Sequence, residues 1–191
     1  MMLHIHSWNV RGLEMPNRKY LVRRWCNRLD TKDIICLQEI KVVGFQAHSI
    51  LKFLWDKAIG FHSNHERGKG GVAILVNPKW ESHIVEHGYS PCQRIIWVSL
   101  KRDEIVYGIC NVYASNNYRE RVELWDWCCS NLPKIHWVFV GDFNMVEYRA
   151  DKSGGLAHSW KGNELFFWHK FKRKFNLTNP MENMHGKFPD I

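Results

Sequence analysis

No apolar run in this sequence approaches the ~20 residues that a helix needs to cross a bilayer. The N-terminus, Met1-Met2-Leu3-His4-Ile5-His6, lacks the apolar core of a secretory leader. Among 6 cysteines and 11 histidines there is no Cys-x-x-Cys pair and no paired spacing of the kind zinc sites use. Internal repeats, low-complexity tracts and obvious linkers are also missing. These absences argue against a helical membrane span, a zinc module and a disulfide-stapled scaffold. They set the expectation of an intracellular, reducing compartment, no membrane partner, and thiols that are free and buried.

The 191 residues suit one domain or most of one, and 45% hydrophobic content is enough to bury a sizeable core. Lys and Arg number 27 against 19 Asp and Glu, a formal charge of +8. A basic chain with pI near 9.2 favours a polyanionic partner such as nucleic acid or an anionic membrane surface.

Short apolar runs alternate with amphipathic stretches, the rhythm of an α/β or layered α+β domain. Leu3 to Val10 alternates and reads as a strand. Pro16 opens a helix carried by Leu21, Trp25 and Leu29. Asp33 to Leu37 contains Ile-Ile-Cys-Leu, a short continuous apolar run that suits a strand buried on both faces. A helix follows over Gln46 to Trp55, and a strand over Val72 to Val76 after the turn at Gly68, Gly70 and Gly71. Ile95 to Leu100 and Ile105 to Tyr113 read as a hairpin across Lys101-Arg102-Asp103. Glu120 to Leu132 is a helix stopped by Pro133, and Trp137 to Val140 a buried strand. Lys152 to Gly155 reads as a loop tip and Gly162 to Phe175 as a basic amphipathic helix.

Three of the apolar strands end in oxygen-bearing side chains: Asn9, Glu39, and Asp142 with Asn144. On an extended segment Asp142 and Asn144 point the same way. Taken singly, each reads as a cap or turn residue. Strands packed side by side bring such ends to one rim. The resulting cluster of two carboxylates and two amides suits Mg²⁺ or Mn²⁺, which take few carboxylates, retained waters and a phosphate oxygen.

Five motifs stand in order: Ser7-Trp8-Asn9-Val10-Arg11-Gly12, Leu37-Gln38-Glu39, Gly70-Gly71-Val72-Ala73-Ile74-Leu75, Asn111-Val112-Tyr113-Ala114 and Gly141-Asp142-Phe143-Asn144. With them the sequence resembles the endonuclease/exonuclease/phosphatase superfamily, most closely the apurinic-endonuclease-like domain of plant LINE-type (non-LTR) retrotransposons. The resemblance implies a four-layered αββα sandwich of the DNase I-like type, and a single domain over 1–191. It implies that Glu39 binds the metal with Asn9 beside it, and that Tyr113 hydrogen-bonds the scissile phosphate. It implies that Asp142 positions or activates the attacking water and that Asn144 contacts the phosphate. Lys41 matches a lysine near the metal, and Asn116 a phosphate-contacting asparagine, although Ser115 replaces the proline common before it. No organic cofactor is implied. The expected activity is Mg²⁺-dependent (or Mn²⁺-dependent) hydrolysis of DNA phosphodiesters. In such elements it nicks target DNA in the nucleus, within a larger polyprotein that carries reverse transcriptase; the domain itself is expected to be monomeric.

The family's late aspartate and closing Ser-Asp-His motif have no counterpart among the 191 − 144 = 47 residues after Asn144. Asp151, Asp190, His158, His169 and His185 lie there, and none is assigned the missing role. The expectation is therefore a C-terminally truncated domain, lacking its last strands, with an unpaired edge and feeble activity. Two rival readings stay open: an inactive element remnant with weak nucleic-acid binding, and a same-fold phosphoesterase acting on RNA, inositol phosphates or sphingolipids. Lys170-Phe171-Lys172-Arg173-Lys174, Arg18-Lys19 and Arg23-Arg24 read as solvated helix faces before they read as phosphate contacts. Trp25, Trp55, Trp97, Trp125 and Trp137 fall at apolar positions and read as core, while Trp8 and Trp160 are less clearly buried.

Overall fold

The periodicities resolve into eight strands and four helices among the described residues, which are 2–64, 70–147 and 160–178 of this computed structural model. The chain divides into two compact units, Met1–Ser115 with Ile135–Val146, and Asn116–Lys134 with Glu147–Ile191.

The first unit contains β1 (Ile5–Asn9), α1 (Pro16–Arg28), β2 (Ile34–Gln38), α2 (Gly44–Leu54), β3 (Ile59–Ser63) and β4 (Val72–Val76). A short 3₁₀ helix (Pro78–His83) leads to β5 (Ile84–Tyr89), β6 (Ile95–Arg102), β7 (Ile105–Tyr113) and β8 (His136–Asp142). Two four-stranded sheets result, in the orders β1-β2-β4-β3 and β5-β6-β7-β8. Each sheet holds one parallel pair, β1 with β2 and β7 with β8, and is otherwise antiparallel. Parallel neighbours need a long crossover, which the segment containing α1 supplies for the first pair and residues 114–135 supply for the second.

Alternation along β2 and β4 sorts two cores. Ile35, Leu37, Ala73 and Leu75 pack with Val22 and Cys26 of α1 and Ala47, Leu51 and Leu54 of α2. Ile34, Cys36, Val72, Ile74 and Val76 turn the other way and meet Ile96, Val98, Leu100 and Ile109 of the second sheet. Both strands are therefore buried on both faces, as continuous apolar runs require.

The second unit contains α3 (Tyr118–Asn131) and α4 (Glu164–Phe175). Trp125 of α3 packs on Trp168 and Phe171 of α4, with ring centres 5.4 and 5.0 Å apart. A fully buried Glu164 is answered by Arg121, whose Nε donates at 2.6 Å. In the basic run, Phe171 is core, Lys170 pairs with Asp126 at 2.6 Å, and Lys172 with Glu147 at 2.5 Å. The solvated reading holds for Arg173 and Lys174, which are exposed.

Several expectations change. The face of α1 that enters the core is Val22 and Cys26, whereas Leu21 is 52% exposed, because the register of the helix is set by Leu29 and Trp25 on the same side. The β6–β7 turn is tighter than expected, with Asp103 and Glu104 both at positive φ. β3 and β5 are additional strands. Both lie at sheet edges and carry glycine and polar residues, so neither has the apolar run that marks β2. Cys26, Cys36, Cys110 and Cys128 are buried free thiols, while Cys92 is exposed. Burial pushes the Cys26 thiol up to about 11. Trp25 is only partly buried, and Trp8 is seated against it with ring centres 5.0 Å apart, which makes Trp8 part of the packing rather than a stacking platform. The loop tip at 152–155 and residues Asp151, His158, His185 and Asp190 lie outside the described residues.

Two features generate tests of the fold. At the start of β2, Asp33 is nearly fully buried and accepts from the His4 backbone N–H at 2.9 Å, His4 Nδ1 at 3.2 Å, Trp80 Nε1 at 3.1 Å, and Lys79. Burial pushes its carboxyl up, but these donors, Lys79 foremost, outweigh it and hold the group at about 2 against an ordinary 3.8. A carboxyl depressed on folding stabilises above its unfolded value, and that contribution disappears as pH falls through roughly 4 to 2. Asp33→Asn is expected to lower the thermal midpoint at pH 7 by the equivalent of about 1–3 kcal/mol and to flatten the acid limb in that window, read by circular dichroism melts from pH 7 to 2. At the other end, Gly141 has φ 134°, and a Cβ there would lie 2.0 Å from the Val112 carbonyl oxygen. Gly141→Ala is expected to destabilise by about 4 kcal/mol or more, whereas Gly44→Ala, which meets nothing within 4 Å, is expected to be tolerated.

Candidate active site

The C-terminal ends of both parallel pairs meet at one rim. β1 ends in Asn9 and β2 in Gln38, with Glu39 next; β7 ends in Tyr113 directly opposite Asp142, the last residue of β8. The two sheets are joined there by a hydrogen bond from Asn9 Nδ2 to Asp142 Oδ2 at 2.7 Å, across 133 residues of sequence. The other Asp142 oxygen accepts the Asn144 backbone N–H at 3.0 Å. Asn144 Nδ2 in turn donates to the Ala114 carbonyl at 2.7 Å, and the Ala114 N–H to the Asp142 carbonyl at 2.8 Å. The structure therefore brings Asp142 and Asn144 together by a different route from the one expected. The strand ends at Asp142, and Asn144 sits in a left-handed turn with φ 48°, so the pair is held by a local turn and not by strand alternation.

Glu39 is mostly covered and forms an ion pair with Lys41 at 2.5 Å. Its loop is tied to the sheet on both sides. Gly12 N–H donates to the Glu39 carbonyl at 2.7 Å, Ile40 N–H to Gly71 at 3.1 Å, and Lys41 N–H to Gly70 at 2.8 Å. Gly71 is required here, since φ is 83° and a Cβ would meet Ile40 at 2.9 Å. The backbone of the rim is strained. Arg11, Glu39, Lys41 and Asn144 adopt φ of 53°, 56°, 48° and 48°, half of the eight positive-φ non-glycine residues among those described. Each costs on the order of 1 kcal/mol, and such strain persists only where surrounding bonds over-determine it.

Tyr113 stands between the two carboxylates electrically. Burial raises its hydroxyl pKa, the Glu39 charge raises it further, Arg94 and Lys41 oppose this, and Asp142 adds to it. A hydroxyl in that field stays protonated and able to donate. Arg94 lies with its guanidinium 5.6 Å from the Tyr113 ring centre, and its carbonyl accepts the Tyr113 N–H at 2.8 Å. Nothing in the sequence singled out Arg94, because a lone arginine before an apolar run carries no pattern.

Of the residues expected at the site, Asn9, Glu39, Lys41, Tyr113, Asp142 and Asn144 gather in the first unit, and Asn116 is exposed at the start of the second. Among the described residues no three His, Cys, Asp or Glu side chains are grouped to hold a metal. Besides Asp142, which is bonded through both oxygens, the rim offers the Glu39 carboxylate and the Asn9 amide oxygen, which accepts one bond from the Arg11 N–H at 3.1 Å and keeps a second lone pair. That sparse, all-oxygen set fits magnesium, which keeps several waters, and does not fit a closed zinc site.

Comparison with known proteins places this geometry. The structure is similar to an AP endonuclease from Archaeoglobus fulgidus, with TM-score 0.70 and 18% identity over 98% of this chain and 76% of that one. It is similar to the AP endonuclease LMAP from Leishmania major, with TM-score 0.68 and 14% identity over 98% and 71%. TDP2 from Caenorhabditis elegans matches at TM-score 0.56 and 18% identity over 76% of this chain. The chain spans about half the length of that protein, 48%. At these identities the likeness is one of fold, and it is the mixed α/β, two-sheet DNase I-like class expected from the motifs. The model of the endonuclease/exonuclease/phosphatase family matches residues 6–184, nearly the whole chain, and the protein belongs to that family.

Proposed function

We propose that this chain carries a Mg²⁺-dependent phosphodiesterase that cuts DNA, of the kind that non-LTR retrotransposons of plants use to nick their target. The observation that carries the reading is the Asn9–Asp142 hydrogen bond, which closes two distant strand ends into one rim holding Glu39, Tyr113 and Asn144. The basic balance of +8 and the ordered motifs favour a nucleic acid over a lipid or inositol phosphate. Location in the nucleus and a neighbouring reverse transcriptase belong to the same reading.

Each residue has a role that its contacts permit. Asp142, fixed through both oxygens by Asn9 and the Asn144 N–H, is held in one orientation and would align or deprotonate water for in-line attack. Tyr113 would donate its hydroxyl to the phosphate. Asn144 spends one amide hydrogen on Ala114 and keeps the other for a phosphate oxygen. Lys41, 44% exposed, can turn from Glu39 toward the incoming phosphate as a point charge. A divalent ion held by Glu39 and Asn9 would neutralise phosphate charge and stabilise the departing 3′ oxygen.

The purified protein is expected to nick supercoiled plasmid slowly with magnesium and to stop in EDTA. Asp142→Asn and Glu39→Gln should each reduce the rate by about 10²–10⁴-fold, and Tyr113→Phe by about 10²-fold, measured well below each variant's thermal midpoint. A panel of DNA, RNA, inositol phosphate and sphingomyelin decides the substrate; faster turnover of any of the last three would overturn the DNA assignment. Wild-type rates for Asp142→Asn would remove the site altogether.

A further inference from the structure

Behind the rim, between the sheets, two amide side chains are buried: Gln38 is 1% and Asn111 0% exposed. Gln38 Nε2 donates to Asn111 Oδ1 at 2.7 Å and to Ser7 Oγ at 3.0 Å, with a longer contact to the Cys36 carbonyl at 3.3 Å. Asn111 Nδ2 donates to the carbonyls of Leu37 at 2.9 Å and Ala73 at 2.8 Å. The set joins β7 to β2 and β4 across the sandwich, and β2 to β1 within its sheet.

Space-filling does not call for amides at this place. The surrounding inter-sheet core is Ile, Val, Leu and Cys, and apolar side chains of the same volume would fill it without a desolvation cost. What amides add is direction. Apolar contact lets facing sheets slide at little cost, whereas hydrogen bonds of 2.7–2.9 Å weaken steeply when displaced or bent. The location matters as well. Gln38 immediately precedes Glu39, whose backbone is strained at φ 56°. Asn111 is two residues before Tyr113 on the same face of β7, and its register partner Val140 is two residues before Asp142.

We infer that Gln38 and Asn111 are positioning residues, whose amide bridge fixes the register of one sheet against the other and so the placement of Glu39 relative to Tyr113 and Asp142. The inference rests on the phosphodiesterase reading and deepens it. A 1 Å misplacement of reacting groups can cost about 100-fold in rate, so a bridge that removes slippage acts on turnover without touching substrate.

The test compares wild-type full-length protein with Gln38→Leu, Asn111→Leu, Ser7→Ala and the exchange Gln38→Asn/Asn111→Gln, at a temperature well below every melting midpoint. The expected result is a kcat reduced about 10–100-fold in the leucine variants with KM for DNA within about threefold, and a smaller loss, about two- to fivefold, in Ser7→Ala. The exchange restores an amide–amide contact and is expected to recover at least threefold over Gln38→Leu. A role in stability alone would lower the melting midpoint and leave kcat where it was. Folded leucine variants with wild-type kcat, or an exchange variant as slow as the single replacements, would overturn the positioning role while leaving the nuclease in place. Should the leucine variants not fold, an unchanged kcat in Ser7→Ala overturns it. A wild-type protein without magnesium-dependent cleavage overturns both readings together.

Discussion

Two greasy sheets laid face to face have many nearly equivalent ways to sit, and this protein depends on the polar contacts that select one of them. The buried amides of Gln38 and Asn111 and the rim bond from Asn9 to Asp142 run between the same two sheets, one pair inside the sandwich and one at its end. At the rim the end of β1 reaches the end of β8, where Asn9 donates to Asp142 and Tyr113 of β7 stands opposite. An unpaired buried amide costs on the order of 1–3 kcal/mol, so the same contacts that specify the register also penalise every alternative to it. Burial of the apolar faces supplies the driving force for closing the sandwich, but it is non-directional and cannot supply the choice.

The rim shows what that choice is worth locally. Four non-glycine residues are kept in left-handed conformations at the rim: Glu39, Lys41 and Asn144 bond to neighbouring segments, and Arg11 bonds to the Asn9 side chain. Glycines appear where even that is impossible, at Gly71 against Ile40 and at Gly141 against the Val112 carbonyl. The Gly-Asp pair in the fourth strand end is thus a geometric unit: a residue with a Cβ at 141 could not stay in register with Val112, and Asp142 would lose its place opposite Tyr113. The far end of the first sheet is secured by a different device, the Asp33 carboxylate collecting donors from His4, Lys79 and Trp80.

Elements with strong periodic signals were legible in advance. β4 occupies the span that its five apolar residues mark, and β2, α2 and α3 differ from expectation only at their ends. Edge strands were not legible, because a strand that is half solvated and carries Gly60 or Gly88 has no apolar run to announce it. The site was legible as motifs in order, and Asn9, Glu39, Lys41, Tyr113, Asp142 and Asn144 do converge. The reason given for pairing Asp142 with Asn144 was wrong, since alternation ends where the strand ends and a turn takes over.

The sequence by itself determined the class of the fold, the two buried strands, the family and the chemical character of the rim, because apolar period and residue type are local properties that survive without neighbours. Tertiary structure alone decided that Gln38 and Asn111 face each other, that Arg94 lies over Tyr113, and that Trp8 is packing. Those are contacts between segments remote in the chain, and no local preference for helix, strand or turn encodes the angle and register at which two sheets close.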